Sequence, residues 1–356
     1  MKIIVDAMGG DNAPEETVKG GVLAASQSDY DIILVGKGEE ILRVIEKEGY
    51  KELPRGIEIV NATQVIETEE DPAMAFRVKE DSSLTVALNL LRDGGGDALV
   101  SAGSTGALLS GATLVVKRVR GIRRAALAPV IPSTTGSFVL IDCGANSDCS
   151  PEYLIQFAYM GSFYAEDILR IQSPRVGLLN NGTERTKGTQ LQLDTYGLLE
   201  KAKQEGHLNF VGNVEAKDAM MGACDVVVCD GFTGNIFLKS IEGTASLIMS
   251  QLKSVFLSGP KTKVGALLVK KDLSALKEKL NPDAIGGTPL LGISKPVIKA
   301  HGSSSAQAIA NAIKQAALAA DADISGKLSE NAHKVGGQSK CNLNQRNCDQ
   351  KKRGCI

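Results

Sequence analysis

Short apolar runs recur along the chain, each ending in a cluster of small polar residues or glycine: KIIVDA, DIILVG, DALVSAG, FVLIDCG, RVGLLNNG, LNFVGN, DVVVCDG and PVIKAHG. A run without polar alternation has no face to offer water, so as a strand it must be covered on both sides. Stretches of helical period lie between the runs and supply that cover. The pattern predicts a doubly wound α/β fold with a mostly parallel sheet. With 356 residues, 43% of them hydrophobic, the chain has material for a large core. No internal repeat and no Gly/Ser or Pro linker interrupts residues 1–333, so one α/β body with insertions is expected there, a two-lobed body being the alternative.

Charge and composition narrow the partners. A formal net charge of −1 gives no global basic field for nucleic acid, so any charged partner must meet a local patch. The opening MKIIVDAMGG passes directly into a strand-like run, and no targeting segment is expected. The apolar runs are too short or too broken to span a bilayer. Cys143, Cys149, Cys224 and Cys229 lack C-x-x-C spacing and are read as reduced, mostly buried thiols. Cys341, Cys348 and Cys355 fall in a polar, basic stretch over 334–356 that reads as a disordered tail.

The run ends share a chemical pattern. DALVSAG leads into STGALLSGATLVV, FVLIDCG into ANSDCSPEYLIQFAYMG, RVGLLNNG into TERTKGTQLQLDTYGLL, and PVIKAHG into SSSAQAIANAIKQAAL. In a parallel sheet such turns gather at the carboxyl ends of the strands, where helix N-termini present free N–H groups to an anion. Ordinary capping explains any one of them, as Ser150 before Pro151 does. Several loops rich in Gly, Ser, Thr and Asn together favour an anion site. G-x-x-x-x-G-K-[ST], G-x-G-x-x-G and G-x-S-x-G are absent, as are paired His or Cys ligands, so neither nucleotide, metal nor covalent hydrolase chemistry is indicated. What is left is metal-free, cofactor-free chemistry on a small anion.

Seven motifs occur in order: VDAMGGD (5–11), SAGSTGAL (101–108), DCGANSD (142–148), GLLNNGTERTKG (177–188), GNVEAKD (212–218), DGFTGN (230–235) and KAHGSS (299–304). Together they resemble the PlsX family of bacterial phosphate acyltransferases over roughly residues 1–330. The resemblance implies transfer of a fatty acyl group from acyl carrier protein to inorganic phosphate, giving an acyl phosphate for phospholipid synthesis. It also implies a cytoplasmic, peripherally membrane-associated homodimer with a Rossmann-like core related to phosphotransacetylases and isopropylmalate dehydrogenases. Ser104 stands where the family usually has Asn, so that position offers a hydroxyl and the loop's N–H groups.

The chemistry agrees with the resemblance. Phosphate is itself nucleophilic, and a pantetheine thiolate leaves acceptably with a thiol pKa of about 8.5. The enzyme must supply position, a cation for phosphate and donors for the thioester oxyanion. Lys187 is assigned to phosphate binding and Asn235 to orienting phosphate or donating to the oxyanion, with a surface Lys and a helix cap as the respective alternatives. His301 either assists proton transfer or orders the GSSS turn. The motifs add Gly9, Gly10, Ser104, Thr105, Gly106, Asn146, Thr183, Gly188, Thr233, Gly234, Ser303 and Ser304 as phosphate- or substrate-binding positions. Asp6, Asp11 and Asp230 would repel phosphate directly and are read as orienting groups behind the site.

Residues 251–285 differ in character. Within 251–280, seven Lys face Asp272 and Glu278, and Val264, Leu267, Leu268 and Leu273 form one helical stripe. A basic amphipathic insertion suits an anionic membrane or the acidic carrier protein, with a hairpin at a dimer interface as the alternative. Two other functions stay open. A dinucleotide-dependent dehydrogenase of similar fold would show cofactor absorbance, and a non-catalytic carrier-protein scaffold would leave the thioester intact.

Overall fold

A computed structural model describes residues 1–67, 70–72, 74–274 and 286–331. The first half alternates β1 (Lys2–Asp6), α1 (Glu15–Gln27), β2 (Asp31–Gly36), α2 (Gly38–Lys47) and β3 (Ile57–Asn61), then α3 (Ala75–Val78), α4 (Ser83–Arg92), β4 (Ala98–Ser101) and α5 (Thr105–Gly111). Helix α5 runs into a π-helical turn over Ala112–Val116. Next come β5 (Ala126–Leu127), β6 (Val130–Ser133), β7 (Gly136–Ile141), α6 (Pro151–Asp167), β8 (Arg175–Leu179), α7 (Gln190–Gln204), β9 (Asn209–Val214), α8 (Ala216–Met220) and β10 (Val226–Val228). The chain closes through α9 (Gly231–Leu257), α10 (Pro260–Leu268), β11 (Thr288–Leu291), β12 (Val297–Lys299), α11 (Ala306–Asp321) and α12 (Ile324–Glu330).

All eight apolar runs are strands, and they divide into two sheets. One has seven strands in the order β3-β2-β1-β4-β12-β11-β5, the other five in the order β6-β7-β10-β8-β9. Strands β3, β2, β1, β4 and β12 are parallel neighbours, as are β7, β10, β8 and β9. The antiparallel strands β5, β6 and β11 have two to four residues each, too few for a period to show in the sequence.

Each strand sends alternate residues to opposite apolar layers, which is why the runs carry no polar alternation. Ile3 and Val5 pack with Val18 and Val22 of α1 and Ile309 and Ile313 of α11. Ile4, between them, faces Leu84, Leu88 and Leu91 of α4. In the second sheet Val139, Ile141, Val226 and Val228 meet Leu154 and Phe157 of α6, while Phe138, Leu140 and Val227 face the other way. That last layer is the same one that holds Ile4, so a single apolar layer contains residues of both sheets. Burying a side chain such as Ile4 completely contributes roughly 1.5–3 kcal/mol.

The start of the basic stretch lies on a long helix that leaves the DGFTGN turn. Helix α9 has 27 residues, starts at the DGFTGN turn and runs unbroken to Leu257, where α10 takes over. Along α9 the buried residues are Gly231 and Gly234, so most of its length stands clear of the sheets. Residues 275–285 and the Cys-containing stretch over 334–356 lie outside the described residues.

Candidate active site

Strand order reverses direction at β1: β2 and β3 lie to one side, β4 and β12 to the other. A crevice beyond the carboxyl ends of the strands is expected at such a switch, and three loops meet there. A Cβ on Gly9 would lie 2.7 Å from the Gly103 backbone nitrogen. Gly10 has φ of +114°, and its Cβ would lie 3.1 Å from the Gly302 carbonyl oxygen. The Asp11 N–H donates to that same carbonyl at 2.8 Å. The MGGD, SAGS and AHGS turns therefore touch through backbone, which only glycine allows at these positions.

Beneath the loops sits a polar group set. The buried Asp6 carboxylate accepts from Ser101 Oγ at 2.7 Å and from the Met8 N–H at 3.4 Å. Lys299 Nζ donates to the carbonyl oxygens of Ala102 at 2.9 Å and Gly103 at 2.6 Å. Burial raises the Asp6 pKa, with the Ser101 hydroxyl and Lys299 pulling it back. Burial likewise lowers Lys299 to about 8, opposed by Asp6 and Asp11. The lysine thus ties the end of β12 to the loop after β4 by two charge-assisted bonds.

The second sheet builds a matching cluster. Asp142, at the end of β7, accepts from the backbone N–H groups of Leu127, Ala145 and Asn146 at 2.9, 3.3 and 2.7 Å, and from Asn146 Nδ2 at 2.9 Å. Burial raises its pKa, and the Asn146 amide and these N–H groups oppose the rise. At the end of β10, Asp230 caps α9: its carboxylate takes the Thr233 N–H at 2.9 Å and the Thr233 hydroxyl at 2.7 Å. A Cβ on Gly234 would fall 1.9 Å from the Asp142 carbonyl oxygen, so glycine is required where α9 crosses the DCGANSD loop. Asn235 follows it, exposed, beside Gly144, whose Cβ would lie 3.6 Å from Asn235 Cγ.

The loop after β8 is held from beneath. Asn180 Nδ2 donates to the Lys187 carbonyl at 3.1 Å, and Asn213 of the GNVEAKD motif donates to the Glu184 carbonyl at 2.8 Å. The Lys187 side chain is exposed and, among the described residues, has no ion-pair partner.

These contacts sort the sequence candidates. Asn235 is not the cap of α9, because Asp230 holds that place, and among the described residues its amide has no hydrogen-bond partner. Ser104 caps α5, its hydroxyl accepting from the Ala107 N–H at 3.5 Å, and Thr105 and Gly106 open that helix. The Asn146 amide donates to Asp142 and to the Ala125 carbonyl at 2.8 Å, leaving its oxygen. Thr183 and Gly188 flank Lys187 on the exposed β8 loop. His301 is exposed, with Nδ1 2.9 Å from Ser303 Oγ and 3.3 Å from the Ser303 N–H; an accepting Nδ1 places the imidazole proton on Nε2. Ser304 is buried, and its hydroxyl has no partner among the described residues. Among the described residues no hydrogen bond joins Lys187, Asn235 and His301 to one another. Ser150 occupies the N-cap of α6 without a side-chain cap bond, Pro151 opening the helix.

Sequence reasoning missed Asp142, Ser101 and Lys299. A signal existed: a lone Lys ends the apolar run PVIK, and Asp ends FVLID, where the burial pattern would otherwise forbid charge. The cysteines are not nucleophiles in waiting. Cys143, Cys149, Cys224 and Cys229 are free thiols. Burial pushes Cys149 and Cys224 to about 12 and Cys143 and Cys229 well up, so all four stay protonated.

Comparison with known proteins places this geometry. Residues 1–327 match the family model described as fatty acid synthesis protein. The chain is 46% identical over 339 residues to a phosphate acyltransferase of Thermoanaerobacter pseudethanolicus, covering 95% of this chain and 99% of that protein. It is 47% identical over 330 residues to a phosphate acyltransferase of Clostridium acetobutylicum, covering 92% and 98%. Among solved structures, a phosphotransacetylase from Streptococcus pyogenes superposes with a TM-score of 0.61 at 19% identity, covering 90% of this chain and 94% of that one. The EutD phosphotransacetylase from Staphylococcus aureus gives 0.60 at 18% identity with the same coverage. At such identities the structural likeness speaks for the fold.

Proposed function

Because the chain belongs to the fatty acid synthesis protein family, we propose that it is a phosphate acyltransferase that moves a fatty acyl group from acyl carrier protein to inorganic phosphate. The observation that carries the reading is a pair of backbone-rich loop clusters whose nearby thiols are all held protonated by burial. A site of that kind positions an external nucleophile and offers it no competing thiolate.

In this reading a phosphate oxygen attacks the thioester carbonyl carbon, and the C–S bond breaks from the tetrahedral intermediate to release the pantetheine thiolate. Lys187 and the N–H groups of the glycine turns hold phosphate, while the Asn235 amide donates to the oxyanion. His301 either relays the proton that the attacking hydrogen phosphate carries to the departing sulfur, or keeps the 299–304 turn in shape. Asp6, Asp142 and Asp230 stay behind the site, where each already accepts protein donors. The acyl phosphate is a substrate for phospholipid synthesis.

We place the enzyme in the cytoplasm as a homodimer with reversible contact to anionic membrane. Val264, Leu267 and Leu268 of α10 are 61%, 72% and 79% exposed, with Lys261, Lys263, Lys270 and Lys271 around them. Among the described residues no helix is long and apolar enough to cross a membrane. The test of the activity is formation of acyl phosphate from acyl carrier protein thioester and phosphate, with no nucleotide or metal added. Thioester that survives bound to the protein would leave a scaffold; reduction of an added dinucleotide would leave a dehydrogenase.

A further inference from the structure

The net charge of −1 hides one strongly uneven stretch. Residues 117–124, between the π-helical turn and β5, read KRVRGIRR, with five cations and no carboxylate in eight positions. All five cations are exposed, while Val119 and Ile122 between them are buried. The loop is fixed to the body of the protein. The Val119 N–H donates to the Gly292 carbonyl at 2.9 Å and the Ser294 N–H to the Lys117 carbonyl at 2.9 Å. The buried Gln156 amide of α6 takes the Arg123 N–H at 2.8 Å and donates to the Gly121 carbonyl at 3.0 Å. Arg118 reaches back to the Arg123 carbonyl, so the two ends of the loop share one surface.

The elements packed against the loop do not answer its charge. They bring Asp148 and Glu152 around the start of α6 and Asp323 at the cap of α12. Glu152 lies within electrostatic reach of Arg123, and Asp323 accepts the Gly326 N–H of its own helix at 3.0 Å. Among the described residues Lys117, Arg118, Arg120 and Arg124 take part in no ion pair. Arg124 instead lies over the Tyr153 ring, 5.5 Å from its centroid. Lys295, next to Ser294, adds a further cation, so a positive excess remains even with all three carboxylates set against it. The surface also adjoins the second loop cluster. Ala125, directly after Arg124, accepts the Asn146 amide at 2.8 Å, and the Leu127 N–H donates to Asp142 at 2.9 Å.

We propose that the 117–124 loop is where the acidic carrier protein docks to present its acyl thioester. The assignment rests on the acyltransferase reading and deepens it by locating the donor protein on the surface. Four of the five cations are arginines, whose forked guanidinium groups pair with carboxylates through two bonds at once. The fixed backbone spares the complex the cost of ordering the loop. An anionic membrane would meet the same charge, but the loop has no exposed apolar side chain to insert into lipid. Its junction with the Asn146 loop suits a partner that delivers a group to the site, because a flexible arm leaving a protein bound here starts beside that loop.

The test is an Arg120→Glu/Arg124→Glu double variant of the full chain, with Arg120→Gln/Arg124→Gln beside it in case charge reversal disturbs the fold. In the Glu variant kcat/KM for the acyl carrier protein thioester should fall about tenfold or more, the lower end of what electrostatic steering gives. The Gln variant should lose less. The phosphate KM, and kcat/KM for S-acyl pantetheine, which has no protein attached, should stay within about twofold of wild type, since neither depends on docking. Raised salt should narrow the gap between wild type and variant. Carrier-protein kinetics within twofold of wild type in both variants overturn the proposal. So does an equal loss with S-acyl pantetheine, which would make the arginines supports of the site. Release from anionic vesicles with carrier-protein kinetics unchanged would make the loop a membrane contact and overturn it too. Calorimetric binding of holo acyl carrier protein, weakened in the Glu variant, tests the surface apart from catalysis. Weakened binding with no acyl phosphate formed by wild type from any donor would sink the activity and keep the docking surface. Acyl phosphate formation with equal carrier-protein binding in wild type and variant would do the reverse.

Discussion

Replacing Lys299 with Met keeps a stem of similar length and removes the ammonium that ties β12 to the loop after β4. The carbonyls of Ala102 and Gly103 lose charged donors, and such bonds contribute about 1.5–3 kcal/mol each. Against that stands the cost of keeping a cation buried. Burial moves Lys299 from its usual 10.5 to about 8, and at ~1.36 kcal/mol per unit this costs roughly 3 kcal/mol that Met does not incur. The terms nearly offset, so the Lys299→Met protein should fold with a net loss of about 0–3 kcal/mol. Activity should suffer far more, because the SAGS turn loses its tether while the glycine contacts around it stay. We expect kcat/KM for phosphate to fall at least about tenfold, the equivalent of ~1.4 kcal/mol. The pH dependence follows with a definite sign. The folded state releases its proton near pH 8 and the unfolded chain near 10.5, so between those values the unfolded state binds more protons and this group makes stability rise with pH. The difference in urea stability between wild type and the Met variant should therefore drift in favour of wild type from pH 8 to 10.5. Activity should run the other way, falling above about pH 8 as the ammonium discharges. Lys299→Arg, charged throughout, should move that limb upward. Phosphate kinetics within twofold of wild type in the Met variant, or an alkaline limb unmoved in the Arg variant, would refute the tether.

Lys187→Ala should raise the phosphate KM or collapse turnover, a loss of about 1.5–3 kcal/mol for one charge-assisted contact; unchanged phosphate kinetics in a folded variant would remove Lys187 from the site. Asn235→Ala should cost roughly 10²–10³-fold in kcat, as loss of one oxyanion donor does. Asn235→Asp should be at least as damaging, since it brings negative charge toward phosphate, and a fully active Asp variant excludes direct contact. Burying Leu267 and Leu268 in lipid would contribute roughly 1.5–3 kcal/mol each, so replacing both with Glu should release the protein from anionic vesicles in a flotation assay. If the double variant still floats the surface is misassigned, and if it loses its dimer α10 is an interface instead.

The strands were legible because a strand buried on both faces must be apolar throughout, a local constraint that leaves its mark residue by residue. The same holds for the turns: Gly9, Gly10 and Gly234 stand where a Cβ would strike a neighbouring loop, whereas Asp230, read from the sequence as an orienting group, caps α9. The division of the strands into two sheets was not legible. It depends on which edges the two- to four-residue strands β5, β6 and β11 complete, and so short an element carries no period. Nor could the sequence say that the Asn146 amide is spent on Ala125 and Asp142 while that of Asn235 is free, for hydrogen-bond partners 21 residues apart are chosen by packing. Lys299 is the clearest case: its letter marks a charge at the end of an apolar run. Only the meeting of β12 with the β4 loop, 196 residues away in sequence, gives that charge two carbonyls and a reason to be half-buried.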